Sequence, residues 1–80
     1  MLFTVELKDV TAHKEGKTEV ELYLDKEALA DLFKQLSFLK KKGDDLHFMT
    51  QSWGGGQLAE DKQNPKNMII NHLKIYYLGD

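Results

Sequence analysis

The residues of this chain whose types could do chemistry are His13, His47 and His72, together with Ser52, which stands directly before the single tryptophan, Trp53. His47 lies in "DLHFMT" (45–50) and His72 in "NMIINHLKIYYL" (67–78), two stretches that read as strands. If those strands pair, the two imidazoles become neighbours, with Asp44 or Asp45 close by. A metal site or an acid–base pair is then imaginable, and Ser52 with either histidine is the nearest approach to a nucleophile. The wider pattern gives this no support. There is no "HExxH", no serine elbow and no paired-carboxylate signature. Strand histidines on a solvent-facing side are usually plain surface residues. The chain therefore reads as a non-enzyme, with no catalytic residue, no metal ligand and no cofactor.

The second unusual stretch is "SWGGGQL" (52–58). Glycine-rich turns can aim backbone N–H groups at phosphates. Here no Lys-Ser or Lys-Thr follows the run, and the dinucleotide spacing is absent. The simpler reading is that at least one of Gly54, Gly55 and Gly56 holds a positive φ. Trp53 next to them either folds back over the sheet end or serves as an exposed anchor, since tryptophan is prominent among binding hot spots. The expectation is an intermediate: the ring rests against the sheet end with one edge available to a partner. Residues 51–66 have no periodicity, and long aperiodic connections in small domains are usually functional or disordered.

The elements that must position these residues follow from hydrophobic spacing. "FTVELKDV" (3–10) alternates, with Phe3, Val5 and Leu7 inward and Thr4, Glu6 and Lys8 outward. "TEVELYL" (18–24) does the same, with Val20, Leu22 and Leu24 inward and Glu19, Glu21 and Tyr23 outward. The polar link between them, with His13 and Gly16, predicts a hairpin turn. From residue 25 to Gly43 the period becomes helical, with Leu29, Leu32, Phe33, Leu36 and Leu39 on one stripe expected to face the core. Asp25 is the expected N-cap, Lys40, Lys41 and Lys42 the last turn, and Gly43 the left-handed stop. In 67–78, Ile69, Leu73, Ile75 and Tyr77 are the buried stretch, while His72, Lys74 and Tyr76 share the other face. The expected architecture is α+β. It is a two-layer, mostly antiparallel four-stranded sheet with one helix packed on one face, in the order β-β-α-β-β. Residues 1–80 form one domain.

Composition limits the function further. Thirteen acids oppose eleven bases for a net charge of −2, and every base is lysine. A mildly acidic chain without arginine is a poor nucleic-acid binder. There is no cysteine, which suits a reducing compartment. No secretory leader and no membrane-length apolar run is visible, so a cytoplasmic location is expected. Glu6, Glu19 and Glu21 read as the wet face of the hairpin, and an acidic face of this kind could also meet a basic partner.

"DLHFMTQSWGGGQL" followed by "NMIINHLKIYYLGD" resembles the Immunity protein 32 family of small bacterial immunity proteins from polymorphic toxin systems. Leu46, His47, Met49, Trp53, Gly54, Gly55 and Leu58 match its first block. Ile70, Asn71, His72, Leu73, Ile75 and Leu78 match its second. The resemblance covers roughly the C-terminal half. The chain departs from the family pattern at its end, closing on "YYLGD" where a tryptophan or proline is expected. The resemblance implies a cofactor-free protein that binds and neutralises a co-encoded bacterial toxin domain, often a nuclease. The candidate partner-binding residues are Trp53, Gly54, Gly55, Gly56, His47 and His72, with Glu6, Glu19 and Glu21 on the acidic face. The alternative is a small homo-oligomeric interaction or regulatory module, a homodimer formed through a sheet edge or the exposed sheet face.

Overall fold

The computed structural model describes residues 1–8 and 18–79. The expected turn with His13 and Gly16 lies outside the described residues. Strand β1 (Phe3–Leu7) runs down the middle of a three-stranded sheet. On one side it pairs antiparallel with β2 (Val20–Leu24), in the register Phe3↔Leu24, Val5↔Leu22, Leu7↔Val20. On the other side it pairs with the short β4 (Met68–Ile69). A separate antiparallel ribbon joins β3 (Asp45–Met49) to β5 (His72–Tyr76). One helix, α1 (Lys26–Leu36), follows β2 directly. The α+β class is as expected, but two sheets replace the single four-stranded one.

The cause lies in the long expected strand at 67–78. It breaks where the chain changes partners. Ile70 still donates its N–H to Val5 O of β1, at 2.8 Å, whereas the next residue, Asn71, already accepts from Thr50 N–H at the end of β3, at 3.0 Å. One apolar stretch therefore serves both sheets and staples them together.

The core is small. Phe3, Val5, Ala28, Phe48 and Leu58 are buried, with Leu24, Leu32, Leu46, Ile70, Leu73 and Ile75 packed around them. The Phe3 and Phe48 rings, 5.5 Å apart and tilted, join the sheet to the ribbon. The outer face of β1 is not wet. Thr4 and Glu6 are both fully buried, because the 59–67 segment folds over that face. The Glu6 carboxylate accepts from Thr4 Oγ1 (2.7 Å), Gln63 N (2.9 Å), Asn64 N (3.3 Å) and Asn67 Nδ2 (3.0 Å). A buried charge survives only when its lone pairs are satisfied in this way.

Helix α1 starts as expected. Asp25 caps it, accepting from Ala28 N at 2.8 Å, and its other oxygen accepts from Leu2 N at 2.7 Å. It stops earlier than its spacing predicts. The Ser37 hydroxyl donates to Lys34 O at 2.6 Å, and the next N–H groups bond three residues back, tightening the chain out of the α-helix. Lys40, Lys41 and Lys42 thus lie beyond the helix. Gly43 does take a positive φ of 97°, but within a separate turn held by Asp44, whose carboxylate accepts from Lys40 and Lys41 N–H. The stripe expected to face the core is also rotated. Ala28 and Leu32 point inward, while Leu29, Phe33 and Leu36 are exposed, Phe33 at 67%. No helix among the described residues is long and apolar enough to cross a membrane.

Candidate functional site

The β3–β5 register sends Leu46, Phe48, Leu73 and Ile75 to the core, so alternation puts Asp45, His47, Met49, His72, Lys74 and Tyr76 on the outer face. His47 Nδ1 and His72 Nε2 lie 3.1 Å apart. The ring centroids are 5.3 Å apart with planes only 19° from parallel. Taking one ring radius off each end of that centroid separation leaves about the measured nitrogen–nitrogen distance. The two nitrogens therefore lie nearly on the line joining the rings. This is a head-on N–H···N bond and not a π stack. It needs one donor and one lone pair. Asp45 Oδ2, 3.4 Å from His47 Nε2, favours the proton on that nitrogen and frees Nδ1 to accept from His72. A metal held by both rings would need their lone pairs to converge, and here they oppose each other. No group of three or more metal-ligating side chains occurs among the described residues.

The rest of the face is built around this pair. Lys74 Nζ is 3.9 Å from Asp45 and 4.7 Å above the Tyr76 ring. Tyr76 first, and the Asp45 charge after it, hold the Lys74 ammonium above its ordinary pKa. At the other end the Trp53 ring leans on His72, with centroids 5.9 Å apart and planes at 44°. The indole is 58% exposed. Sequence reading expected this intermediate, a ring braced on the sheet end with an edge left open.

What fixes Trp53 is the loop beneath it. Residues Gln51–Trp53 form a single 3₁₀ turn. The N–H groups of Trp53 and Gly55 both reach Thr50 O, at 3.0 and 3.1 Å. Gly54 ends the turn with a φ of 90°, the positive value that the glycine run predicts. Gly55 has a different reason. A Cβ there would sit 2.6 Å from both Met49 Cβ and Met49 O, so the loop lies directly on β3. Around Gly56 there is open space. Thr50 is buried and accepts from Asn71 Nδ2 at 2.8 Å, while the Ser52 hydroxyl donates to Glu60. Ser52 is thus engaged with a carboxylate and not with an imidazole. Leu58, which periodicity did not single out, is buried and closes the loop by donating its N–H to Met49 O at 3.2 Å. Behind the glycines, Gln51, Leu58, Glu60 and Asp61 help line a shallow cleft of ≈ 440 Å³.

The structure thus gathers His47, His72, Trp53, Gly54, Gly55 and Gly56 at one end of the ribbon. It leaves the three glutamates elsewhere, on or beside the strands of the other sheet. Glu6 is buried and unavailable to a partner. Glu19 is exposed and paired with Lys8 at 3.5 Å. Glu21 accepts from Tyr23 OH (2.9 Å) and Asn67 Nδ2 (2.8 Å). Thr50 and Glu60, which help organise the loop, carry no pattern that a single sequence reveals, because their partners lie 8–21 residues away, and Asn71 stands out only through the family resemblance. No family model, curated protein or solved structure matches the chain.

Proposed function

We propose that this chain is a binding protein of the immunity type. It engages a co-encoded bacterial toxin domain in the cytoplasm of the producing cell, neutralises it by contact alone, and needs no cofactor. The observation that carries the reading is the state of Trp53: a large aromatic, more than half exposed, on a loop tied down from both sides. Exposing such a ring forgoes burial that a core this small could use. Rigidly presented tryptophan and tyrosine make good anchors because little entropy is lost when they dock. Tyr76 at the far end of the same face, also exposed, extends the contact. The cleft behind the glycines, with Glu60 and Asp61 on its wall, suits a lysine or arginine from a basic partner such as a nuclease domain. The resemblance of "LHFM", "WGGGQL" and "INHLKI" to immunity proteins points the same way.

The test pairs this chain with the toxin domain encoded beside its gene and measures affinity by calorimetry. The parent should bind, and Trp53→Ala should weaken binding by about 2 kcal/mol or more, roughly thirtyfold, as a hot spot does. Equal affinity of parent and variant would remove Trp53 from the interface. Absence of any complex would remove the immunity reading altogether.

A further inference from the structure

Three side chains on the outer face of the ribbon form a line along which protons can be counted. Asp45 Oδ2 lies 3.4 Å from His47 Nε2, and His47 Nδ1 lies 3.1 Å from His72 Nε2. Two neutral imidazoles bring two protons to four ring nitrogens. Asp45 draws one onto His47 Nε2, and the other sits on His72 Nε2, between the rings. That leaves one lone pair, on His72 Nδ1, which no hydrogen bond engages among the described residues. His72 is only partly buried. Lys74 stands directly opposite His47 in the β3–β5 register and is 3.9 Å from Asp45. Tyr76 lies under the Lys74 ammonium. From the loop come Trp53, whose uncharged ring leans on His72, and Ser52, which is bonded to the Glu60 carboxylate. With the imidazoles neutral, the ribbon charges of Asp45 and Lys74 balance.

A proton arriving from solvent finds one place that breaks no bond, His72 Nδ1. The His72 imidazolium still donates from Nε2 to His47 Nδ1, and that bond is now charge-assisted, with the Asp45 carboxylate at the far end of the line. A second proton has only His47 Nδ1 left. There it destroys the bond and sets like charges on nitrogens 3.1 Å apart. The pair is therefore built to take one proton and to resist the second. Imidazole is the side chain that ordinarily changes charge between about pH 5 and 8. One proton alters what the face offers. His72 Nδ1 turns from acceptor to donor, and the balance between Asp45 and Lys74 tips to net positive. Both changes occur beside the Trp53 ring. We propose that His72 is a proton-driven switch of the Trp53 face, accepting a hydrogen bond when neutral and repelling cations when charged. Taken with the immunity reading, on which this consequence rests, a basic toxin surface is held near neutrality and released in mild acid.

The first measurement needs no partner. Ring nitrogen NMR shifts of His47 and His72, and the indole N–H signal of Trp53, the single tryptophan, are followed in the full chain from pH 8 to pH 5.5. His72 Nδ1 should take up its proton first, His47 Nδ1 should stay unprotonated, and the Trp53 signal should move with His72. The second measurement is calorimetric affinity for the neighbouring toxin domain at pH 7.5 and pH 5.5. It compares the parent with His72→Gln, whose amide N–H keeps a donor for His47 but cannot charge. The parent should weaken by about tenfold between the two, as one linked proton allows. The variant should weaken by less than about threefold, whatever its affinity at pH 7.5. Proton uptake at His47 Nδ1 before His72, uptake by both rings in one step, a Trp53 signal that ignores the titration, or the same affinity ratio in parent and variant would each overturn the switch. If neither protein binds the toxin at either pH, the immunity reading fails, and the ring shifts alone decide the switch.

Discussion

Gly55 and Gly56 are neighbours of the same type with opposite tolerance. A methyl group on Gly55 would meet Met49 Cβ and the Met49 carbonyl at 2.6 Å, and the backbone oxygen cannot swing aside. Gly55→Ala should therefore destabilise by about 1–3 kcal/mol, as overpacking does, and displace the Trp53 turn. Gly56→Ala meets nothing within 4 Å and has no positive φ, so its melting curve should overlay the parent's or rise slightly. Thermal melts of the two variants side by side check this. The same contrast applies to Trp53. Its ring touches His72 but is mostly in water, so Trp53→Ala should cost well under the roughly 3–5 kcal/mol of a core aromatic. A variant that unfolds near room temperature would make Trp53 a core residue after all. The glycine run alone predicted a positive φ somewhere in it. Which glycine needs space and which needs conformation depends on Met49, and no local pattern carries that contact.

Among the elements, α1 is where sequence reading and structure part most clearly. Its cap and its amphipathic period were legible, because Asp25 and the three- and four-residue steps are local signals. Its orientation was not. The apolar arc from Leu32 to Phe33 is wider than the small core can cover, so the sheet takes the Ala28–Leu32 edge and leaves the other edge in solvent. Large-to-small changes should follow that division. Leu32→Ala should cost about 2 kcal/mol or more in denaturant melts, while Phe33→Ala should cost only a few tenths. Equal losses at the two positions would place the stripe in the core that periodicity first suggested. The ribbon was easier to read. Alternation in 45–50 and 72–77 gave its two faces, and the His47–His72 contact follows once the strands pair. The broken strand at Ile70–Asn71 left only a faint trace, the polar Asn71 in an otherwise apolar row of odd positions, and that did not show that the two halves have different partners.

For the whole molecule, acid should be the telling stress. Burial alone would push the Glu6 carboxyl up. Hydrogen bonds from Gln63 N–H, Thr4, Asn67 and Asn64 N–H outweigh it and hold the pKa below the ordinary 4.5. Glu21 is lowered by Asn67 and Tyr23, Asp25 by the Ala28 and Leu2 N–H groups, and Asp44 by those of Lys40 and Lys41. Each such carboxylate binds a proton less readily folded than unfolded. Its stabilising contribution is complete above the unfolded pKa and is lost as pH falls through the folded one. Stability should therefore be level near neutrality and decline below about pH 4.5. Glu6→Gln should lose about 2 kcal/mol at pH 7, because its amide turns an N–H towards donors, and should show a shallower decline in acid. Melting curves across pH 3–7 for parent and variant test both statements. A parallel decline would mean that Glu6 is not among the groups setting it.

The stitch between Glu6 and the 63–67 segment also has a direction in time. Its hydrogen bonds span 57–61 residues, and β1 gains its second neighbour, β4, only at Met68 and Ile69. A ribosome makes β1 well before those partners. Until they emerge, the middle strand of the larger sheet has an open edge, and a carboxylate destined for burial lacks all of its partners but Thr4. The nascent chain therefore cannot lock β1 as soon as that strand is made, and this side of the sheet closes only after residues 63–69 have left the exit tunnel.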